Sequence, residues 1–325
     1  LEVTIIHPNL KLLSDSSDKL LHSCPRKYEL YKLLLQPEFD SEEATEQRED
    51  THLSFGTLVG YGVQRYLTHL DLNRAQVEML AKWPRELDAD LESKSKKSFW
   101  HALIALDNFP FFFQEEYPDC QLYRMDLSKL DPQNEPATEL GYIVDCGEGF
   151  YDRGFIDAVL INTKHNILIT IDCKTTSGRN PHEAAYQNLS QVLGYSLVLD
   201  TITSSLDNFN SSFNADYIVW SSTGMEWKKF SFPKSRLQRS LWIKNKLLTM
   251  KHIAEYSEEN YFPMYGESCF SYFKLCQYFG VCELKNEYWF PRGVESIPVK
   301  VDDLSRYQFH FKLEDIIEAQ LAMEG

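Results

Sequence analysis

From Gly154 to Lys174 the chain reads GFIDAVLINTKHNILITIDCK, and the reading of this stretch decides the fold. Apolar residues run up to Ile161 and resume at Ile167, with Asn162-Thr163-Lys164-His165-Asn166 between them. Extended back through Phe150-Tyr151-Asp152-Arg153 and Glu139-Leu140-Gly141-Tyr142-Ile143-Val144, it predicts a three-stranded meander. The charged residues in it stand out. Asp157 lies inside one strand, while Asp172 and Lys174 close the next, where alternation puts them on one face. Charges in central strands are costly to bury unless paired or metal-bound. Two carboxylates and an ammonium make a hard-oxygen cation site with a cationic neighbour. That set suits phosphodiester hydrolysis, with Lys174 orienting a water or facing the charge that develops. Asp-x-Lys alone, a common tripeptide, reads as a structural pair at a strand end; the upstream Asp157 and the hairpin between move the balance towards chemistry.

Working outward, Ala184–Leu199 predicts a helix with Gln191 and Tyr195 four apart on one face. Phe213–Trp220 and Glu226–Phe232 predict strands, and Leu237–Tyr256 an amphipathic helix. Towards the N-terminus, Ser17–Leu35 predicts a helix interrupted at Cys24-Pro25. Asp40–Asp50 is acidic and aperiodic, hence a solvated loop. Phe55–Leu70 has helical spacing, and a second helical zone covers Arg74–Phe113, broken near Pro84 and Pro110. Helices, then strands, helix, strands, helix imply an α/β core with a helical N-terminal region. The expected division is 1–137 (helical, with Cys24), 138–260 (core) and 261–325 (cysteine-bearing segment and tail).

The 325 residues are 43% hydrophobic and 25% charged, which excludes global disorder. No apolar run nears the ~18 residues of a membrane span, and the start does not read as a secretion signal, so no membrane partner and a cytoplasmic location are expected. Thirty-three basic against 48 acidic residues leave a formal charge of −15, a poor match for a broad nucleic-acid surface. A local basic groove is still open to such a body. Lys228, Lys229, Lys234, Arg236, Arg239, Lys244, Lys246 and Lys251 cluster late; they are a solvated helix face or a DNA-tracking surface. Trp227 and Trp242 beside them are core residues or base-stacking ones.

Seven cysteines, an odd count in a long chain, read as reduced thiols. Cys269, Cys276 and Cys282 form a tight C-x6-C-x5-C run, and Cys24 stands alone near the start. Four thiolates can hold an iron–sulfur cluster or a tetrahedral zinc; the alternative is buried free thiols. The nine histidines contain no H-x-x-x-H pair, and there is no Walker loop or G-x-G-x-x-G. Zinc-hydrolase, ATPase and dinucleotide chemistry are therefore not indicated.

Gly154-Phe155-Ile156-Asp157, Ile171-Asp172-Cys173-Lys174 and Gln191-Val192-Leu193-Gly194-Tyr195 resemble the signature blocks of the PD-(D/E)XK nuclease superfamily. Its RecB-type branch carries GxxD, (D/E)xK and QxxxY in this order. The stretch Ser17-Asp18-Lys19-Leu20-Leu21-His22-Ser23-Cys24-Pro25-Arg26-Lys27-Tyr28 resembles that branch's N-terminal block, so the likeness spans roughly Ser17 to Cys282. It implies a restriction-endonuclease-like core: a mixed central sheet flanked by helices, with a helical N-terminal region and a cysteine-bearing C-terminal segment. It further implies that Asp157, Asp172 and the carbonyl of Cys173 bind Mg²⁺ or Mn²⁺. Lys174 positions the attacking water, and Gln191 and Tyr195 steady the DNA backbone and the lysine. CRISPR-associated RecB-like and AddB-type nucleases hold a structural 4Fe–4S cluster with one cysteine before the core and three after. Cys24, Cys269, Cys276 and Cys282 match that layout, with zinc as the alternative; the family spacing is C-x2-C-x5-C, so Cys269 departs from it.

Relatives carry G-x-x-x-H and a Glu four residues on in the first core helix. Here Gly60 and Gln64 occupy those places, and Glu139 is a candidate substitute. The implied activity is a metal-dependent DNA exonuclease that processes linear ends in recombination, repair or phage DNA metabolism. Its partners would be DNA and a recombination protein or helicase, in a bacterial or phage-infected cell. The rival, from a different class, is a nuclease-fold DNA-binding or scaffolding subunit of a larger complex.

Overall fold

Cys24-Pro25 splits the N-terminal helix as its chemistry dictates. In the computed structural model α1 (Asp15–Ser23) ends on an extended Cys24, and α2 (Pro25–Leu33) restarts at the proline, whose missing N–H costs nothing in a first turn. Ser14 and Ser17 close a reciprocal cap at the start of α1. The structure describes residues 6–33, 51–83, 97–126, 134–187, 189–203, 210–271, 274–282, 307 and 309–322; the expected loop at 40–50 and the break at Pro84 lie outside them.

By their internal contacts the residues group into two units, each assembled from separated stretches of chain. One comprises Leu1–Glu46, Gly141–Gly154 and Ser240–Asp315; the other Gln47–Leu140, Phe155–Arg239 and Ile316–Gly325.

In the second unit, α3 (Thr51–His69), α4 (Leu72–Lys82) and α5 (Phe99–Glu116) bury Phe55, Val59, Val63, Met79, Ala102 and Phe109 against strand residues Leu160, Ile171 and Trp220. Asp71 and Ser98 cap α4 and α5. Contrary to expectation, Pro110 lies inside α5 without ending it. The helix survives because Phe109 and Phe112 pack on Trp227 at ring distances of 5.4 and 5.9 Å, and buried aromatic area outweighs a proline cost of about 3 kcal/mol.

The meander is present. β1 (Leu12–Leu13) and β2 (Cys120–Leu122) are short; β3 (Arg124–Asp126) and β4 (Asn134–Pro136) form a separate pair; β5 (Thr138–Gly147), β6 (Phe150–Asn162) and β7 (Ile167–Thr176) follow one another. Then come α6 (Gln191–Thr203), β8 (Asn210–Ser221), β9 (Glu226–Pro233) and α7 (Arg236–Glu258). β10 (Phe270–Ser271) and β11 (Lys274–Leu275) make a small hairpin, and β12 (Phe309–Lys312) leads into α8 (Leu313–Ala322). The main sheet has the order β12-β5-β6-β7-β8-β9, with β1 and β2 also pairing with β6. It is mixed: β7 with β8 and β12 with β5 are parallel, β6 with β7 and β8 with β9 antiparallel. This is the α/β, restriction-endonuclease-like architecture that the sequence implies.

Two boundaries differ from expectation. Helix α6 starts at Gln191 rather than near Ala184, where only a short 3-10 turn forms. The C-terminal segment contributes a sheet strand, β12, rather than only a tail. No helix among the described residues is long and apolar enough to cross a membrane.

Candidate active site

β6 and β7 pair in register from Asn162–Ile167 to Ala158–Ile171. Just past that last pair, the N–H of Cys173 donates to a side chain, Asp157 Oδ2, at 3.0 Å. The carboxylate thus takes a donor that a ladder would give to a carbonyl. β7 runs between β6 and β8, which leaves Asp172 with no exposed surface. Lys174, on the same face, sets its Nζ 2.6 Å from Asp172 Oδ2.

The electrostatics follow. Burial, and then the neighbouring charge of Asp172, push Asp157 up to about 7, against the pull of Lys174 and the Cys173 N–H. Burial works against the charged form of Lys174, but Asp172 and Asp157 outweigh it and hold the amine above its ordinary range. The ammonium therefore persists at neutral pH. One ammonium facing two acids leaves negative charge in excess, and the oxygens available are hard ones. Asp157, Asp172 and the Cys173 carbonyl fit a divalent cation by charge and by donor chemistry.

Helix α6 supports the amine. Lys174 Nζ donates to Gln191 Oε1 at 3.5 Å, and Gln191 Nε2 donates to Tyr195 Oη at 2.6 Å, so the four-residue spacing builds a Lys–Gln–Tyr chain anchored on the buried Tyr195. Helix α3 approaches β7 through glycines. A Cβ on Gly56 would lie 3.1 Å from Thr175 Oγ1, and one on Gly60 would lie 4.0 Å from Cys173 Cβ. One turn beyond Gly60, Gln64 donates to Glu139 Oε1 at 2.8 Å. The Gly154 of the G-x-x-D block has a packing reason invisible in sequence: a Cβ there would come 2.7 Å from the hydroxyl of Tyr142.

The structure thus brings Asp157, Asp172, Lys174, Gln191, Tyr195 and the backbone of Cys173 together. The four cysteines lie in the other unit. There Ser268 Oγ donates to the carbonyl of Ser23 at 2.6 Å, Arg26 Nε to that of Cys282 at 3.0 Å, and Cys276 N to that of Cys269 at 2.7 Å. Every cysteine-bearing segment is tied to another within two residues of its thiol. Cys24 is buried and the other three are partly so, with Cys276 and Cys282 packed on Leu30, Tyr278 and Val281. The thiols are not drawn into a cage: among the described residues no group of three or more His, Cys, Asp or Glu side chains is arranged to hold a metal.

The basic cluster is a correction. Lys234, Arg239 and Lys246 are buried: Lys234 bonds the Gln187 carbonyl, Arg239 pairs with Asp200, and Lys246 with Asp18 and Asp152. Lys228, Lys229 and Lys251 each face a glutamate. Internal pairing employs most of these charges. Trp227 and Trp242 are buried.

A mixed sheet flanked by helices, with two acids and a lysine where β6 and β7 meet, defines a restriction-endonuclease-like protein. The model of the PD-(D/E)XK nuclease superfamily matches residues 12–283, and the chain belongs to that superfamily. No curated protein matches the chain. A nuclease domain of this kind implies DNA as substrate, and such nucleases usually use Mg²⁺ or Mn²⁺.

Proposed function

We propose that the protein is a metal-dependent deoxyribonuclease acting on linear DNA ends as an exonuclease. The observation that carries this reading is the Asp157–Asp172–Lys174 set, with both acids buried and in excess of the amine, in a chain of a nuclease superfamily. Asp157, Asp172 and the Cys173 carbonyl would hold Mg²⁺ or Mn²⁺. Such an ion, when bound, supplies Lewis acidity and lowers the pKa of water. Lys174, kept cationic, orients the attacking water and faces the charge that develops on the phosphate. Gln191 and Tyr195 fix the direction of the amine. The choice of ends over internal sites rests on the RecB-like order of the motif blocks. So do the setting in recombination, repair or phage DNA metabolism and the helicase or recombination partner.

A 4Fe–4S cluster on Cys24, Cys269, Cys276 and Cys282, or a zinc ion there, is proposed on the tied segments and the four thiols. Loading would have to turn the thiols inward. Visible absorption with iron and zinc analysis of the purified chain distinguishes cluster from zinc, and neither metal would remove the proposal.

The test of activity uses the full chain with linear single- and double-stranded DNA and with a closed circle, in Mg²⁺, Mn²⁺ or EDTA. Expected is loss of the linear species only, abolished by EDTA and by Asp172→Ala. DNA binding without cleavage in either metal would overturn the enzyme reading in favour of a scaffolding subunit, to which the neutral Gly60 and Gln64 point.

A further inference from the structure

We propose that the segment after β7 is a preformed grip for the DNA strand, with Arg179 on one backbone phosphate and the hydroxyl of Tyr186 on the phosphate beside Lys174. The inference rests on the nuclease reading above and names side chains that hold its substrate.

The place of Tyr186 follows from the sheet register. Asp172 pairs with Tyr217 of β8, and Tyr217 with Phe230 of β9. Residues paired across a ladder share a face, so Tyr217 and Phe230 lie on the face that carries Asp172 and Lys174. The ring of Tyr186 packs on both, 5.4 Å from Phe230 at 14° and 5.4 Å from Tyr217 at 38°. This tyrosine is therefore laid over the sheet on the face of the acids and the amine. The charge of Lys174 is felt at its hydroxyl. That hydroxyl bonds to no described residue, although the ring that carries it is fixed.

Buried side chains hold the backbone on either side. The fully buried Ser221 hydroxyl reaches the carbonyls of Gly178 at 2.8 Å and Arg179 at 3.3 Å. Further on, Lys234, 7% exposed, donates to the carbonyl of Gln187 at 3.0 Å. Arg179 itself is exposed, and no described acid pairs with it. Lys228 and Lys229, by contrast, each face a glutamate. Two buried acids repel an approaching phosphate, so the strand needs a fixed cation in addition to Lys174. The fork of an arginine matches phosphate oxygens, and a tyrosine hydroxyl is an ordinary phosphate donor. A backbone fixed in advance leaves less freedom to lose on binding.

The experiment uses the full chain and a fluorescent linear duplex. Binding is measured in EDTA across a salt series, and cleavage in Mg²⁺ gives kcat and KM. Arg179→Ala should lower the slope of log affinity against log salt by about 1. Its KM should rise about tenfold with kcat retained, and Arg179→Lys should restore the slope but only part of the affinity. Tyr186→Phe keeps the stacked ring, so its melting temperature should match wild type while KM rises about tenfold. Lys164→Ala removes an exposed charge from the turn at the other end of β7 and should change neither slope nor KM. Unaltered binding and KM in one of the two variants, Arg179→Ala or Tyr186→Phe, would remove that residue from the grip. Unaltered values in both, with Asp172→Ala inactive, would overturn the grip and leave the nuclease reading intact. So would a loss in Lys164→Ala as large as that in Arg179→Ala. A wild-type chain that neither binds nor cleaves linear DNA would overturn both.

Discussion

Two buried clusters in this molecule have the same charges and opposite designs. In one, Lys246 pairs with both Asp18 and Asp152, its side chain only 5% exposed, beneath the ring of Trp242. In the other, Lys174 pairs with Asp172 while its side chain stays 35% exposed, and Asp157 accepts from the backbone of Cys173. Each is two carboxylates and one ammonium. The first is closed, with the cation shared between the acids and sealed from water. The second keeps its cation within reach of solvent, and of a substrate. A charged triad in a core is thus no sign of chemistry by itself; what separates the two is where the lysine can go.

The sharpest way to break the comparison is to delete each lysine. Lys174→Ala should lower DNA cleavage by about 10²–10³-fold or more with little change in melting temperature. Lys246→Ala should do the reverse. It strands two buried acids at a cost of about 3–5 kcal/mol, read as an earlier urea midpoint, while the folded fraction keeps its specific activity. If both variants lose the same property, the two clusters are not different in kind.

A pH series sharpens the contrast at smaller scale. The folded pKa of Asp157, about 7, stands above an unfolded value of about 3.9. The folded state therefore holds that proton more tightly, and stability without metal should fall as pH rises from about 4 to about 7. Asp18, lifted to about 6 chiefly by burial, adds a slope of the same sign that ends earlier. Asp157→Asn should flatten the upper part of the slope and Asp18→Asn the lower part. A divalent ion, by taking the ionised form, should restore stability near neutrality through the Asp157 cluster alone. Urea unfolding at pH 5, 6, 7 and 8, with and without Mg²⁺, decides it; a metal effect that survives Asp157→Asn unchanged would contradict the assignment.

The smallest expected effects come from two glycines of α3. Gly60→Ala places a methyl at ordinary contact, 4.0 Å from Cys173 Cβ, and should gain about 0.5–1 kcal/mol of stability from the helix. Gly62→Ala would put its methyl 2.3 Å from the sulfur of buried Met79 and should lose about 1–3 kcal/mol. Thermal melts of the pair separate a glycine kept by packing from one that is not.

What could be read from sequence was what is local. The meander, the split at Cys24-Pro25 and the spacing of Gln191 and Tyr195 are written in alternation, a proline and a helical period. The Lys246 triad was not legible, because its partners lie 228 and 94 residues away, and a lysine on a helix looks like a solvated one until its acids are found. The hydrogen bond between Gln64 and Glu139, 75 residues apart, escaped for the same reason. Strands β1 and β12 are too short to declare themselves, and their pairing is settled by tertiary context. Pro110 misled because local propensity yielded to the aromatic packing around it.

The interleaving of the two units has a consequence for how the chain is made. Helices α1 and α2 bury Leu21 and Tyr28 with Ile253 and Phe262, residues that belong to the stretch beginning at Ser240. At about 5–20 residues per second of synthesis, roughly 10–40 s separate the emergence of the first stretch from that of its partner. Through that interval the N-terminal helices hold an apolar face that only Leu10, Leu13 and Phe150 among its buried native partners are there to cover. A nascent chain arrested before Ser240 should therefore be the form that chaperones capture, and truncations ending there should accumulate as insoluble material although the Asp157–Lys174 strands are already complete.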